Sequence, residues 1–490
     1  MISLLLSGFA HAEWSTEGSL RLSSDVLSEF ALDELGTTSG INQMGLSRIR
    51  LSATNQISDQ LSWNMGLELA NGNLWGDTTH VGHSIVDPFR PARSDNSDLK
   101  LVWPTACNIR YQSSSWFGAV GIQSFQWGLG ILSNHGNGTP WFGDAYQGNH
   151  YLRASIGKPL PADFQIFGAV DQILRDDAVS IYGQDSAQQM IVGLVQKKKT
   201  HAWGVLAGMR HQEDRPDPNH PLSPTSARIV PLDLFFKVPV AKWLLLEGEI
   251  AHLRGESTRL YSEQTRGATV AVRSTGALLR ARTLPDQKED IIARGIIELG
   301  FASGDANGTD DVARAFTIHS NHNNGLLLYD QILPLIAANS VDRLSDPGLS
   351  GKPAPGLRFA IPQGNISNSL YTLPILELKH KGAPLEQMLR LGWMRAYSPA
   401  PLSDPYWSAL QGGYPQAYGS SQENQITAEE QHLGDEILAR VMLKHPVGAT
   451  TFELRSDASL FLSGEALKPL LDSPLWMVHT TLNISWGGRP

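Results

Sequence analysis

The chain is predicted to be all-β: a transmembrane antiparallel β-barrel of about eighteen strands, with sixteen as the smaller count. Three observations carry that expectation. Apolar and polar residues alternate with a period of two in segment after segment. No stretch approaches the roughly 18 consecutive apolar residues that a membrane helix needs, and a closed barrel is the other structure that satisfies its own backbone in lipid. Short and long connections take turns along the chain, the pattern of periplasmic turns and extracellular loops in the outer membrane of bacteria.

The alternation is explicit. Leu61, Trp63, Met65, Leu67 and Leu69 oppose Ser62, Asn64, Gly66, Glu68 and Ala70. Leu101, Trp103, Cys107, Ile109 and Tyr111 oppose Lys100, Asn108 and Arg110, and Trp476, Val478, Leu482, Ile484 and Trp486 oppose His479, Thr481 and Asn483. In chain order the candidate strands lie near 14–30, 41–57, 61–72, 97–112, 116–132, 147–158, 162–172, 187–197, 201–212, 227–237, 241–256, 267–283, 288–303, 367–380, 385–398, 431–445, 449–463 and 474–487. Runs of roughly 11 to 17 residues exceed the usual strand of a soluble sandwich and suit a tilted membrane crossing. Segment 267–283 carries Arg273 and Arg280 on opposite faces; parity retains it, because single-chain bacterial barrels use even strand numbers.

Residues 1–12 read as the remnant of a signal peptide, with an apolar Leu4–Phe9 and a small-x-small Ala10-His11-Ala12. Residues 13–490 then form one barrel domain whose longest extracellular loop is 304–366. The single cysteine, Cys107, excludes an intramolecular disulfide framework and reads as a small apolar residue on the face of Trp103 and Ile109. A net charge of −9 argues against a nucleic-acid partner. The expected partners are the lipid bilayer, lipopolysaccharide, the outer-membrane assembly machinery and a hydrophilic solute.

With the apolar face toward lipid, the opposite face carries Arg48, Arg50, Glu68, Arg110, Arg153, Asp171, Arg210, Asp233, Glu247, Glu249, Arg294, Glu298, Glu377, Arg390, Glu436, Arg440, Glu453, Arg455 and Asp457. An arginine facing hydrocarbon costs about 2–4 kcal/mol at the midplane, so these residues are expected to line the pore. Two roles are open to them: pairing across strands to hold the barrel rigid, or selecting solutes by charge. Arginines and carboxylates are similar in number, which leaves the cargo open.

The longest loop holds three further candidates. Asp305, Asn307, Asp310 and Asp311 offer hard oxygen ligands for calcium, although the spacing is not that of an EF-hand, and a solvated turn is the alternative. Gly325–Ile336 is apolar and of mixed period, as expected of a piece that folds into the lumen or packs over its mouth. His319 and His322 form a weak metal pair, and Ser320 between them is the candidate for a barrel hydrolase, without a Gly-x-Ser-x-Gly elbow.

Gln126-Trp127-Gly128-Leu129-Gly130-Ile131-Leu132-Ser133-Asn134-His135-Gly136-Asn137 resembles a tryptophan-glycine motif of alginate-export-type outer-membrane porins, and Glu298–Asp311 is similar to a second motif of that family. The resemblance implies an eighteen-stranded monomeric barrel that exports or admits a polar solute. A mixed lumen departs from the basic alginate pore, and the chain ends Trp486-Gly487-Gly488-Arg489-Pro490 rather than on an aromatic residue. The leading functional expectation is therefore passive passage of a hydrophilic solute such as a saccharide, with no enzymatic activity and loop 304–366 as the constriction. Phe125 and Trp127, inward on 116–132, either stack sugar rings or pack. A sealed structural or adhesive barrel is the second expectation, and a hydrolase the third.

Overall fold

The computed structural model describes residues 13–78, 81, 100–145, 148–177, 185–198, 200–214, 225–258, 269–285, 289–306, 310–322, 324–345, 366–382, 384–411 and 414–487; the expected signal remnant lies outside them. The chain order is β1 (Glu13–Leu27), β2 (Gln43–Ser58), β3 (Leu61–Gly76), β4 (Lys100–Gln112), β5 (Phe117–Ser124), β6 (His150–Leu160), β7 (Phe164–Arg175), β8 (Ser186–Lys197), β9 (Ala202–Glu213) and β10 (Ser226–Ala241). It continues with β11 (Leu244–Ser257), β12 (Val270–Thr283), β13 (Ile291–Ala302), the two-residue β14 (Val312–Ala313), helix α1 (Leu333–Ser345), β15 (Ser369–Lys381), β16 (Glu386–Tyr397), helix α2 (Pro405–Leu410), β17 (His432–Val447), β18 (Thr450–Ser463) and β19 (Leu475–Gly487). Every strand except β14 pairs antiparallel with its neighbours, and β1 closes onto β19, giving an 18-strand barrel with no free edge. The two-residue β14 pairs in parallel with the stretch of β12 that β13 does not reach.

The wall obeys the period of two. Val120, Leu152, Ile156, Val170, Val192, Val230, Ile250, Ile297, Leu376, Leu391, Ile437 and Leu454 are exposed on the outside, where only lipid makes that exposure favourable. Trp14 meets Trp63, Tyr111 meets Trp116 and Phe164 meets Trp203 near the short turns, while Trp75, Tyr397 and Trp476 stand on the outer face toward the long loops. These are the two aromatic girdles of a membrane-spanning barrel. Arg273 and Arg280 do face opposite sides of β12: Arg280 points inward to Glu298, and Arg273 lies exposed, beside Arg254 of β11, at the long-loop end.

Two expectations are corrected. Trp103 is buried, not on the lipid face with Cys107 and Ile109. A register shift between Gly66 and Leu67 adds one residue to β4, so Trp103 pairs with Glu68 and turns inward against His150. The fifth strand does not run to residue 132. It stops at Ser124, because Gly128 and Gly130 take left-handed φ values of 51° and 92° that turn the chain into the barrel.

Candidate functional site

Two connections send described residues into the inside of the barrel: 125–145 and 148–149 between β5 and β6, and 316–322 and 324–336 between β13 and β15. A buried connection must find partners for its own peptide groups. In the first, Trp127 packs against Phe125, Phe167 and Phe235 and donates its indole N–H to Asp233 at 2.8 Å. The Leu129 and Gly130 amides donate to Glu249. Trp141 donates to Glu298 at 2.9 Å. Wall arginines satisfy the carbonyls: Arg440 donates to Pro140 at 3.0 Å and to Gly143 at 2.9 Å, Arg390 donates to Trp141, and Arg48 and Arg21 donate to Ala145 at 3.2 and 2.8 Å.

The second connection is pinned by carboxylates. Glu436 accepts the amides of Leu326, Leu327 and Leu328 at 2.7, 3.0 and 3.2 Å, at the start of the helical run that becomes α1. Glu298 accepts from Asn324 at 2.7 Å and from Tyr371 at 2.9 Å, with His322 Nε2 at 3.2 Å. Leu326, Leu327, Tyr329, Ile332, Leu335 and Ile336 join Ile131, Phe142, Leu373 and Phe461 in one apolar core inside the barrel. The apolar piece 325–336 is thus folded inward.

The pore-lining set meets across strands. Arg48 and Arg50 share Glu68, Arg153 pairs with Asp171 at 2.6 Å, Arg294 and Arg390 share Glu377, and Arg440 pairs with Asp457. Glu247 takes Lys237 and Arg282, and Arg455 lies 3.7 Å from both Glu453 and Asp457. Arg210 reaches Asp176, just beyond β7. Asp233, Glu249, Glu298 and Glu436 hold the inner connections. Arg110 stays exposed, on Asn108 at 3.1 Å.

Sequence parity also puts Arg21, Asp25, Arg280, Arg282 and His479 inside, yet none stood out as site residues. Asp144, in a connection without periodicity, gave no signal at all. It lies among Arg21, Arg455, His479 and Thr481.

The pairs are asymmetric. Arg282 and Arg294 side chains are 26 % and 28 % exposed, against 6 % for Glu247 and Glu377; Arg50 is 26 % exposed over a fully buried Glu68. Arg455 with Glu453 runs the other way. Arg48, Arg153, Arg390 and Arg440 are buried together with their carboxylates, so the cations that stay partly open are Arg50, Arg210, Lys237, Arg282 and Arg294.

The remaining candidates separate. Trp127 is buried in its aromatic cluster and Arg153 lies over the Phe125 ring, so packing replaces the sugar-stacking role. The Ser320 hydroxyl donates to Asp177 at 2.8 Å; His319 holds Asn149 through Nε2 with its Nδ1 3.7 Å from the same Asp177, while His322 turns to Glu298, so the two imidazoles have separate partners. Arg314 lies 2.9 Å from Asp310 and 3.7 Å from Asp305, and the Asp311 carbonyl accepts the Ala271 amide. The Val312 amide, helped by Arg314, holds the Asp310 carboxyl below its ordinary range. Among the described residues no group of three or more His, Cys, Asp or Glu side chains gathers as a metal site.

No family model and no curated protein matches the chain. Among solved structures it is similar to the outer membrane channel DcaP of Acinetobacter baumannii, at 8% identity over 98% of each chain with a TM-score of 0.41. It is also similar to OccK2 (OpdF) of Pseudomonas aeruginosa in complex with glucuronate, at 11% identity over 97% of this chain and 98% of that one with a TM-score of 0.46. Acinetobacter baumannii OccAB3 stands at 11% identity over 97% and 99%, with a TM-score of 0.46.

Proposed function

We propose that the protein is a passive outer-membrane channel for hydrophilic anions, acidic saccharides included. The observation that carries this reading is a subset of the inner-face ion pairs, Arg50 on Glu68, Arg282 on Glu247 and Arg294 on Glu377, in which the carboxylate is buried and the guanidinium stays about a quarter exposed. A wall of this kind keeps the cost of burying acid low through pairing, and it leaves a positive potential for the solute. The tryptophan-glycine motif that resembles alginate-export porins serves here as the anchor of the first inner connection.

Single-channel recording in a planar bilayer under a salt gradient tests the reading. The expected result is discrete steps with a reversal potential of anion-selective sign, moved toward cations when Arg282 and Arg294 are changed to Gln. A cation-selective pore overturns it. A sealed barrel has an observation of its own, the apolar core that the inner connections build at the long-loop end. A folded barrel that never conducts favours that reading.

Lipopolysaccharide phosphates are the proposed neighbours of Arg254 and Arg273 on the outer face. Calcium at Asp305, Asp310 and Asp311 competes with Arg314 for the same oxygens in this reading, so a calcium titration of Arg314→Gln is expected to show tighter binding than the parent.

A further inference from the structure

Asp144 is the one carboxylate in the sequence 125–149. It is buried, and its oxygens meet four wall residues from three adjacent strands. Arg21 Nε of β1 lies 3.6 Å away, Arg455 of β18 contacts the other oxygen, and from β19 His479 Nε2 and the Thr481 hydroxyl each lie 3.1 Å away. His479 and Thr481 are fully buried, and the other ring nitrogen of His479 faces Asp25. Asp457, paired with Arg440, faces the cluster from β18, and Glu453 flanks Arg455. Two guanidiniums, an imidazole and a hydroxyl converging on one carboxylate make a built receptor for that group. Its occupant sits on a connection rather than on the wall, and the arginines beside it hold that connection by its carbonyls.

We propose that Arg21, Arg455, His479 and Thr481 form a carboxylate-binding site, filled in this structure by the protein's own Asp144. A carboxylate solute takes the site when Asp144 withdraws. Solute occupancy and the docked position of residues 138–145 are then alternatives, and the solute loosens the segment that stands in its way. The inference rests on the anion-channel reading and names the chemical group of the solute.

The test is chemical rescue. Asp144→Ala empties the receptor while Asp144→Asn still fills it. The temperature at which the folded barrel is lost is measured with formate, with formamide and with chloride at matched ionic strength. The expected result is a drop of several degrees in Asp144→Ala that formate reverses saturably and the other two do not, with no formate response in Asp144→Asn. Equal effects of formate and chloride on Asp144→Ala overturn the proposal.

If Asp144→Ala does not fold, succinate and sulfate are compared on single channels of the unaltered protein. Succinate alone is expected to lengthen visits to a separate conductance level, and identical traces overturn the proposal. Reversal potentials from the same recordings separate the two failures. A cation-selective pore sinks the channel reading, whereas an anion-selective pore indifferent to carboxylates sinks the receptor alone.

Discussion

Glu298 shows how much one side chain can organise. Arg280 of β12, Tyr371 of β15, Trp141 of the first inner connection, and His322 and Asn324 of the second all converge on its two oxygens. Replacing it with Ala leaves Arg280 without its closest partner and releases both connections at once. The expected cost is about 3–5 kcal/mol, the size found when one member of a buried pair is removed. Loss of the heat-resistant folded form on unheated gels, at a lower temperature than the parent, checks it.

Asp33, outside the wall, gives the pH prediction. Burial acts to raise its carboxyl, but hydrogen bonds from Thr37 and Asn339, helped by Arg343, win and hold it below its ordinary value. A carboxyl depressed in the folded state stabilises above its unfolded range and loses that contribution as pH falls through the folded value. Amide protection in α1, which carries Asn339 and Arg343, is therefore expected to be constant from neutral pH down to about 4 and to fall below, once exchange rates are referred to the intrinsic rate at each pH.

At the scale of the element, the first inner connection depends on backbone geometry at its entry. A Cβ on Gly128 would stand 2.5 Å from Glu249 Oε2 and 3.0 Å from the Phe235 Cβ, at a φ that favours glycine. Gly128→Ala is expected to push Leu129 and Gly130 off Glu249 and to raise the open-channel noise, while the barrel still folds; single-channel traces identical to the parent would count against the anchoring role. For the second connection, Glu436→Gln removes the charge facing three amides at the start of a helical run, where a carboxylate contributes typically 0.3–1 kcal/mol and up to ~2 kcal/mol when partly buried. Faster amide exchange at Leu326–Leu328 is the expected sign.

At the scale of the whole molecule, the barrel is a continuous antiparallel sheet whose outer face is set by lipid and whose inner face is set by ion pairs. The proposed selectivity belongs to this scale, because it rests on which member of each pair stays open to the lumen. The paired exchange of Arg282 and Arg294 for Gln addresses it directly: the wall keeps its apolar exterior, so folding is expected to persist while the reversal potential moves.

The strands were legible in the residues themselves. The alternation is local, each side chain's face follows from its neighbour's, and lipid on one side disfavours charge there; β12 keeps the alternation with Arg280 inward and its one outward arginine, Arg273, at the long-loop end. Strand parity likewise set most charged residues on the face opposite the apolar one. Trp103 escaped because a single extra residue at a bulge reverses a face and leaves no mark in composition. The inner connections escaped for a different reason. Arg440 with Pro140, Arg48 with Ala145 and Asp144 with His479 join positions far apart in sequence. Nothing periodic marks such contacts. A carboxylate on a connection is equally at home in water, and only the closure of β1 onto β19, which brings Arg21, Arg455, His479 and Thr481 to one side of the barrel, gives Asp144 a place to go.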